Sequence, residues 1–126
     1  MKLGLIFHPD DYAITRLPPS DNLAPNRRGR FSMVSRLGDE VTVVGPTELA
    51  PPGGETQSGF RLIEVEGAFA LDSVGGVASV AGPLAAAGIS LFAFSVWSTD
   101  AFLVQVADVE QAMRALADAN LTIVRA

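Results

Sequence analysis

Few side chains in this 126-residue chain are suited to covalent or acid–base chemistry. His8 is the only histidine, and it stands in a His8-Pro9-Asp10-Asp11 run that reads as a turn, with no nucleophile motif beside it. Adjacent carboxylates such as Asp10 and Asp11 ordinarily face water in a turn rather than hold a metal. The absence of cysteine removes disulfides, thiolate metal sites and thiol nucleophiles together. No HExxH, EF-hand, P-loop or GxGxxG pattern occurs. Arg27, Arg28 and Arg30 form the only basic cluster, in a Pro/Asn/Gly loop without interleaved aromatics, which reads as solvated loop. The expectation is a protein with no catalytic residues, no metal and no cofactor, and so not an enzyme.

Charge narrows the partners. Residues 1–62 carry seven bases and seven acids, residues 63–126 two bases and seven acids, so the net charge of −5 lies in the C-terminal half. Such a surface repels phosphate backbones, and no nucleic-acid partner is expected. From 73 to 99 no side chain is charged, a length that spans a bilayer in principle. Gly75, Gly76, Gly82, Pro83 and Gly88 interrupt it, no Lys or Arg flanks it, and Asp72 and Asp100 bracket it, so no membrane span is expected. The apolar run after Lys2 is too short for a signal peptide, which places the protein in the cytoplasm.

The elements that must position any site follow from periodicity. Val77, Val80, Ala81, Leu84 and Ala87 recur at helical spacing, and Gly88 supplies a stop. Residues 89–97 then read as a strand buried on one or both faces, and Ser98-Thr99-Asp100 as a turn into an antiparallel partner at 101–106. Asp108 with Gln111 resembles a capping box opening a second helix, whose stripe is Val109, Ala112, Met113 and Leu116. Asn120 suits that helix's end; 121–124 and 60–66 read as strands. From Phe60 onward the order is βαββαβ, the ferredoxin-like α+β plan of a four-stranded antiparallel sheet with both helices on one face. Upstream, strands are expected at 3–7, 12–17, 31–36 and 41–44, with breaking loops at 18–22 and 51–54. Two subunits of structure follow: a mostly β half, 1–59, and a complete βαββαβ half, 60–126.

In order and spacing the chain resembles small tandem ACT-like proteins, relatives of the ACT repeats of aspartokinases and of eukaryotic cytosolic arginine sensors. The segments that carry the likeness are 12–18, 31–36 with 40–44, 59–67, 75–79, 83–90 and 95–100. The resemblance implies a complete ACT domain in the C-terminal half after a reduced ACT-like half. It also implies regulation rather than chemistry, through binding of a small ligand, usually an amino acid, between two such units.

The implied ligand site comprises Asp72, Ser73, Val74, Gly75, Gly76, Ser95, Val96, Trp97 and Asp100. The turn into the first helix offers free backbone N–H groups and the helix dipole to a carboxylate. Asp100 is the first choice to accept an ammonium and Asp72 the second, with Trp97 as a wall. The sequence departs from the family's pattern at this place: Val74 stands where relatives often carry Thr, Val96 replaces a hydroxyl, and Ala70 replaces the usual acid. Hydroxyl-built sites discriminate strongly by those groups, so the departures leave three alternatives: a less polar ligand, a different one, or none. The two readings are an amino-acid-binding regulatory module and a structural dimerisation module with a vestigial site. Both imply a homodimer.

Overall fold

A computed structural model describes residues 3–19, 24, 27–67 and 74–126. Part of the loop expected at 18–22 lies outside them. The chain divides into two units, Met1–Pro9 with Phe60–Ala126, and Asp10–Gly59. The first nine residues, read as part of the N-terminal half, group with the C-terminal one.

The larger unit contains the βαββαβ order as β4 (Glu55–Val65, from Phe60), α1 (Gly76–Ala86), β5 (Leu91–Ser95), β6 (Asp100–Gln105), α2 (Val109–Asp118) and β7 (Thr122–Arg125). β6 pairs antiparallel with β4, Ile63 opposite Phe102, and with β5, Ala93 opposite Phe102. The sheet differs from a plain four-stranded one. β7 pairs in parallel with the start of β1 (Gly4–Leu17), Gly4 opposite Thr122 through Phe7 opposite Arg125, and the Glu66 N–H donates to the Gly4 carbonyl at 2.8 Å. The N-terminal strand thus lies between β4 and β7. Alternation of Leu3, Leu5 and Phe7 identifies the strand, but nothing local in it encodes a partner more than a hundred residues away.

One face of this sheet holds the helices. Leu5, Phe7, Ile63, Val65, Phe102 and Val104 pack with Val80 and Leu84 of α1 and with Ala112, Met113 and Leu116 of α2. Each such fully buried side chain contributes about 1.5–3 kcal/mol. Both helices end in the same way. Gly88 and Asn120 take left-handed φ of 75° and 68°, and the following Ile89 and Leu121 N–H groups return to the carbonyls of Leu84 and Leu116 at 2.9 and 3.1 Å. Ile89 and Leu121 are themselves buried, completing the hydrophobic contact of this C-terminal motif.

Several sequence readings are corrected. The 3–7 and 12–17 strands are one continuous strand: Pro9, which has no N–H to donate, falls between the residues that pair with β7 and those that pair with the strand Glu40–Pro46, so no ladder bond is lost there. His8 is therefore not in a turn; its Nε2 lies 2.9 Å from Glu64 Oε1 on the neighbouring strand. Asp11 does not simply face water, since Oδ2 accepts from Thr47 Oγ1 at 2.5 Å and from the Gly59 N–H at 3.1 Å. Asp108 makes no capping hydrogen bond, and Gln111 instead donates to the Ala87 carbonyl at 3.1 Å. The strand at 91–95 is buried on neither face: Leu91 and Phe94 are half-buried, Phe92 is 44% exposed, and Ala93 and Ser95 are exposed. No helix among the described residues is long and apolar enough to cross a membrane.

Among the described residues, the regular elements of the smaller unit are strands apart from one 3-10 turn, Thr47–Leu49. The second half of β1 pairs with β3 (Glu40–Pro46), Tyr12 opposite Pro46, and β3 with β2 (Met33–Leu37). Thr15, buried, satisfies its hydroxyl on Thr56 Oγ1 at 2.9 Å. Tyr12, the only tyrosine, is fully buried, and its Oη accepts from the Phe31 N–H at 3.2 Å. Burial pushes its phenol above the usual value, against the lowering effect of the backbone hydrogen bonds from Phe31 and Arg30. Below pH ~10 both folded and unfolded chains keep the phenol neutral, so this contribution is whole. Above it the unfolded chain loses its proton first, and stability falls until the folded value is reached. The tyrosinate absorbance of the folded protein is expected to titrate above pH ~10. In urea unfolding, Tyr12→Phe should cost about 1–2 kcal/mol at neutral pH and flatten the alkaline decline.

Candidate functional site

α1 begins where Gly75 turns the chain. Its φ of 87° is left-handed, and nothing lies within 4 Å of the position a Cβ would take, so backbone conformation alone asks for glycine. The Gly75 carbonyl accepts from the Ser79 N–H at 2.9 Å and from Ser79 Oγ at 2.7 Å. The N–H groups of Gly76, Val77 and Ala78 precede that first helical bond and have no acceptor within the helix. They lie at the positive end of the helix dipole.

The β5–β6 hairpin brings a carboxylate to this end. The Val96 N–H donates to the Thr99 carbonyl at 3.0 Å around Trp97-Ser98, and Thr99 Oγ1 donates to the Val65 carbonyl at 2.7 Å, which ties the hairpin to the end of β4. Ser95 and Asp100 are cross-strand partners, and Ser95 Oγ donates to Asp100 Oδ1 at 2.8 Å. The other carboxylate oxygen, Oδ2, stands 3.1 Å from where a Gly76 Cβ would lie. Gly76 thus answers a different demand from Gly75: it admits Asp100 to the helix start.

Gly75, Gly76, Ser95 and Asp100 therefore meet at one place. Val74, 93% exposed, precedes the turn, and Val96 and Trp97, 48% and 79% exposed, occupy the hairpin end beside Ser95. Asp72 and Ser73, and Ala70 where the family's acid is usual, lie outside the described residues. Sequence reasoning missed Ser79 and Thr99, whose hydroxyls fix the two turns; the signal was a hydroxyl four residues beyond a helix-opening glycine and another in the hairpin turn. Among the described residues, no group of three or more His, Cys, Asp or Glu is placed to hold a metal ion. The smaller unit has a cavity of about 20 Å³, room for little more than a water molecule, bordered by Ala13, Thr15, Val43 and Leu49, and an open cleft beside Arg16, Glu40 and Glu55. Neither includes Asp100, and the first has no charged side chain to orient a ligand.

Comparison with known proteins agrees with this architecture. A family model described as the ACT domain matches residues 55–118, just over half of the chain. A solved structure from Agrobacterium tumefaciens is 28% identical over 100% of this chain and 95% of that one, with a TM-score of 0.87. A Vibrio cholerae protein of unknown function is 24% identical over 94% and 91%, with a TM-score of 0.71. The regulatory subunit of aspartate kinase from Thermus thermophilus shares the fold, at 12% identity over 91% and 95% and a TM-score of 0.65. No curated protein sequence matches.

The two glycines of α1 that face open space, Gly75 and Gly82, separate backbone demand from helix propensity. In urea denaturation Gly75→Ala should destabilise by about 1–2 kcal/mol, because its left-handed φ penalises a Cβ. Gly82→Ala, inside the helix, should be nearly neutral, because a helix-propensity gain of about 1 kcal/mol is offset by the clash of a Cβ with the ring of the following Pro83.

Proposed function

The chain belongs to the ACT-domain family, and from that premise we propose that it is a non-enzymatic regulatory module that binds a free amino acid at the start of α1. The observation that carries this reading is the approach of Asp100 Oδ2 to Gly76. An α-amino acid holds its carboxylate and ammonium on neighbouring atoms, so it needs donors and an acceptor a few ångströms apart. The N–H groups of Gly76, Val77 and Ala78 are the donors for the carboxylate. Asp100, oriented through Oδ1 by Ser95, is the acceptor for the ammonium.

The ligand's side chain is of low polarity. Val74 and Val96 stand where hydroxyls would recognise a polar group, and both are exposed together with Trp97, which supports an aliphatic or aromatic side chain lying over them. Regulation rather than turnover also accords with the aspartate kinase regulatory subunits among the structures of the same fold. The working form is a cytoplasmic homodimer, which covers apolar surface that a monomer leaves to water.

A thermal-shift and calorimetric screen of the standard amino acids tests this. An aliphatic or aromatic amino acid should raise Tm by several degrees at saturation, since a hundredfold excess over Kd stabilises by about 2.7 kcal/mol. Fluorescence of Trp97, the only tryptophan, should change with it, and both responses should vanish in Asp100→Ala. If no amino acid shifts Tm or gives heat, the sensor reading fails and a structural dimerisation module with a vestigial site is left.

A further inference from the structure

The arginines of this acidic chain are unevenly spread. Residues 22–38 hold Arg27, Arg28, Arg30 and Arg36 and no acid, a charge of +4, so the remainder of the chain carries −9. By composition the stretch 27–30 is solvated loop, yet its backbone is held in place. A Cβ on Gly29, whose φ is 82°, would overlap Pro46 Cγ, so the loop is pressed against the end of β3. The Phe31 N–H donates to Tyr12 Oη at 3.2 Å, and Arg30 gives the same phenol a second backbone bond. Arg27, Arg28 and Arg30 are all exposed on the backbone anchored in this way.

The loop leads into β2, which among the described residues pairs on one side only, with β3. Gly38-Asp39 joins the two strands as a two-residue loop with Gly38, φ 58°, in its first position, and the flanking pair of such a hairpin, Leu37 and Glu40, exchanges both ladder bonds. By alternation from there, the backbone groups of Met33, Ser35 and Leu37 turn to β3, and those of Val34 and Arg36 turn outward. Met33 lies opposite Val44, near the end of β3 against which Gly29 packs, so the arginine loop stands at the start of this edge. Asp39 and Glu40 stand at its other end.

We propose that β2 takes up an extended acidic segment of another protein, which adds to the sheet as an antiparallel strand and places its carboxylates on the arginine loop. This goes beyond the amino-acid site and does not depend on it. The outward N–H and carbonyl groups of Val34 and Arg36 supply main-chain hydrogen bonds whatever the sequence of the segment, and the arginines supply the choice of sequence. Guanidinium groups bind carboxylates in bidentate geometry. Antiparallel to β2, the segment runs toward Met33, so its acids lie C-terminal to its paired residues; acids at its other end would meet Asp39 and Glu40. One arginine on the strand is enough to discourage aggregation at a bare edge, and three more on a loop fixed beside it exceed that need. The same charges disfavour other occupants. Two β2 edges repel each other, and a nucleic-acid backbone would run on from the loop to a surface of its own sign.

Fluorescence anisotropy of a fluorescein-labelled peptide of alternating Thr and Val, ended by a run of Glu, tests this on the whole chain. The peptide should bind, and less tightly as salt is added; the same peptide ended by Lys should not bind. Arg27→Glu with Arg28→Glu, both exposed, should weaken binding about tenfold or more, as expected for the loss of a charge-assisted hydrogen bond. Val34→Pro removes an outward N–H that makes no bond to β3, and should weaken binding likewise while circular dichroism is unchanged. A proline in the middle of the Thr/Val run of the peptide should do the same, and decides the matter if Val34→Pro fails to fold. The proposal is overturned if the Glu-ended peptide does not bind, if the Lys-ended one binds equally, or if single-stranded DNA of matched charge binds as tightly. Binding that ignores the proline in the peptide also overturns it, since a charged surface alone would then suffice. No step uses a free amino acid, so a negative amino-acid screen rejects the sensor reading alone.

Discussion

The geometry of the site rests on the strand that the N-terminus lends to the far end of the chain. Glu66 N–H bonds the Gly4 carbonyl, which fixes the end of β4; the neighbouring Val65 carbonyl holds Thr99 Oγ1; and Thr99 closes the turn that sets Ser95 opposite Asp100. A few hydrogen bonds thus run from Thr99 of the hairpin turn back to Gly4. The same strand supplies Leu5 and Phe7 to the helix-facing core. Gly4 passes Glu66 so closely that a Cβ there would stand 2.5 Å from Oε1 of its side chain. Removing the strand would strip a pairing partner from both β4 and β7 at once, so the βαββαβ segment, complete in its list of elements, is incomplete as a folded sheet without residues 4–7.

That dependence explains what the sequence did and did not disclose. Local physics was legible: helix ends at Gly88 and Asn120, the change from helical to alternating period after Gly88, and the order of elements from Phe60 onward. Long-range pairing was not, because the alternation of Leu3, Leu5 and Phe7 is satisfied by any neighbouring strand. Pro9 and the acids after it look like a turn by composition, yet a strand that changes partners has one place where a missing N–H costs nothing. The capping pattern at Asp108 failed for a related reason: Gln111, whose reach to the cap residue would complete the box, spends its amide on Ala87 at the end of the other helix. For the site, spacing alone marked Gly75 and Gly76 as a turn. Their nearness to Asp100 came through the family resemblance, while the supporting hydroxyls of Ser79 and Thr99 were visible only in coordinates.

The uncharged stretch illustrates why apolar composition does not by itself mean burial. Of α1 only Val80 and Leu84 are buried, and the rest of the helix is kept uncharged by small residues that cost little in water. Phe92, Val96 and Trp97 are different, since each leaves a large apolar surface exposed. Sequence periodicity reports that a helix and a strand are there. It does not distinguish a face turned to the core from a face turned to another molecule, because both exclude charge for the same reason.

Ser95 joins these two themes. Its hydroxyl orients Asp100 within the chain, while its backbone N–H and carbonyl point away from β6 to the open edge. The residue that fixes the carboxylate beside the helix start therefore belongs to an exposed strand, so the placement of Asp100 depends on how firmly β5 is held by β6 and on the Thr99 bond to the Val65 carbonyl.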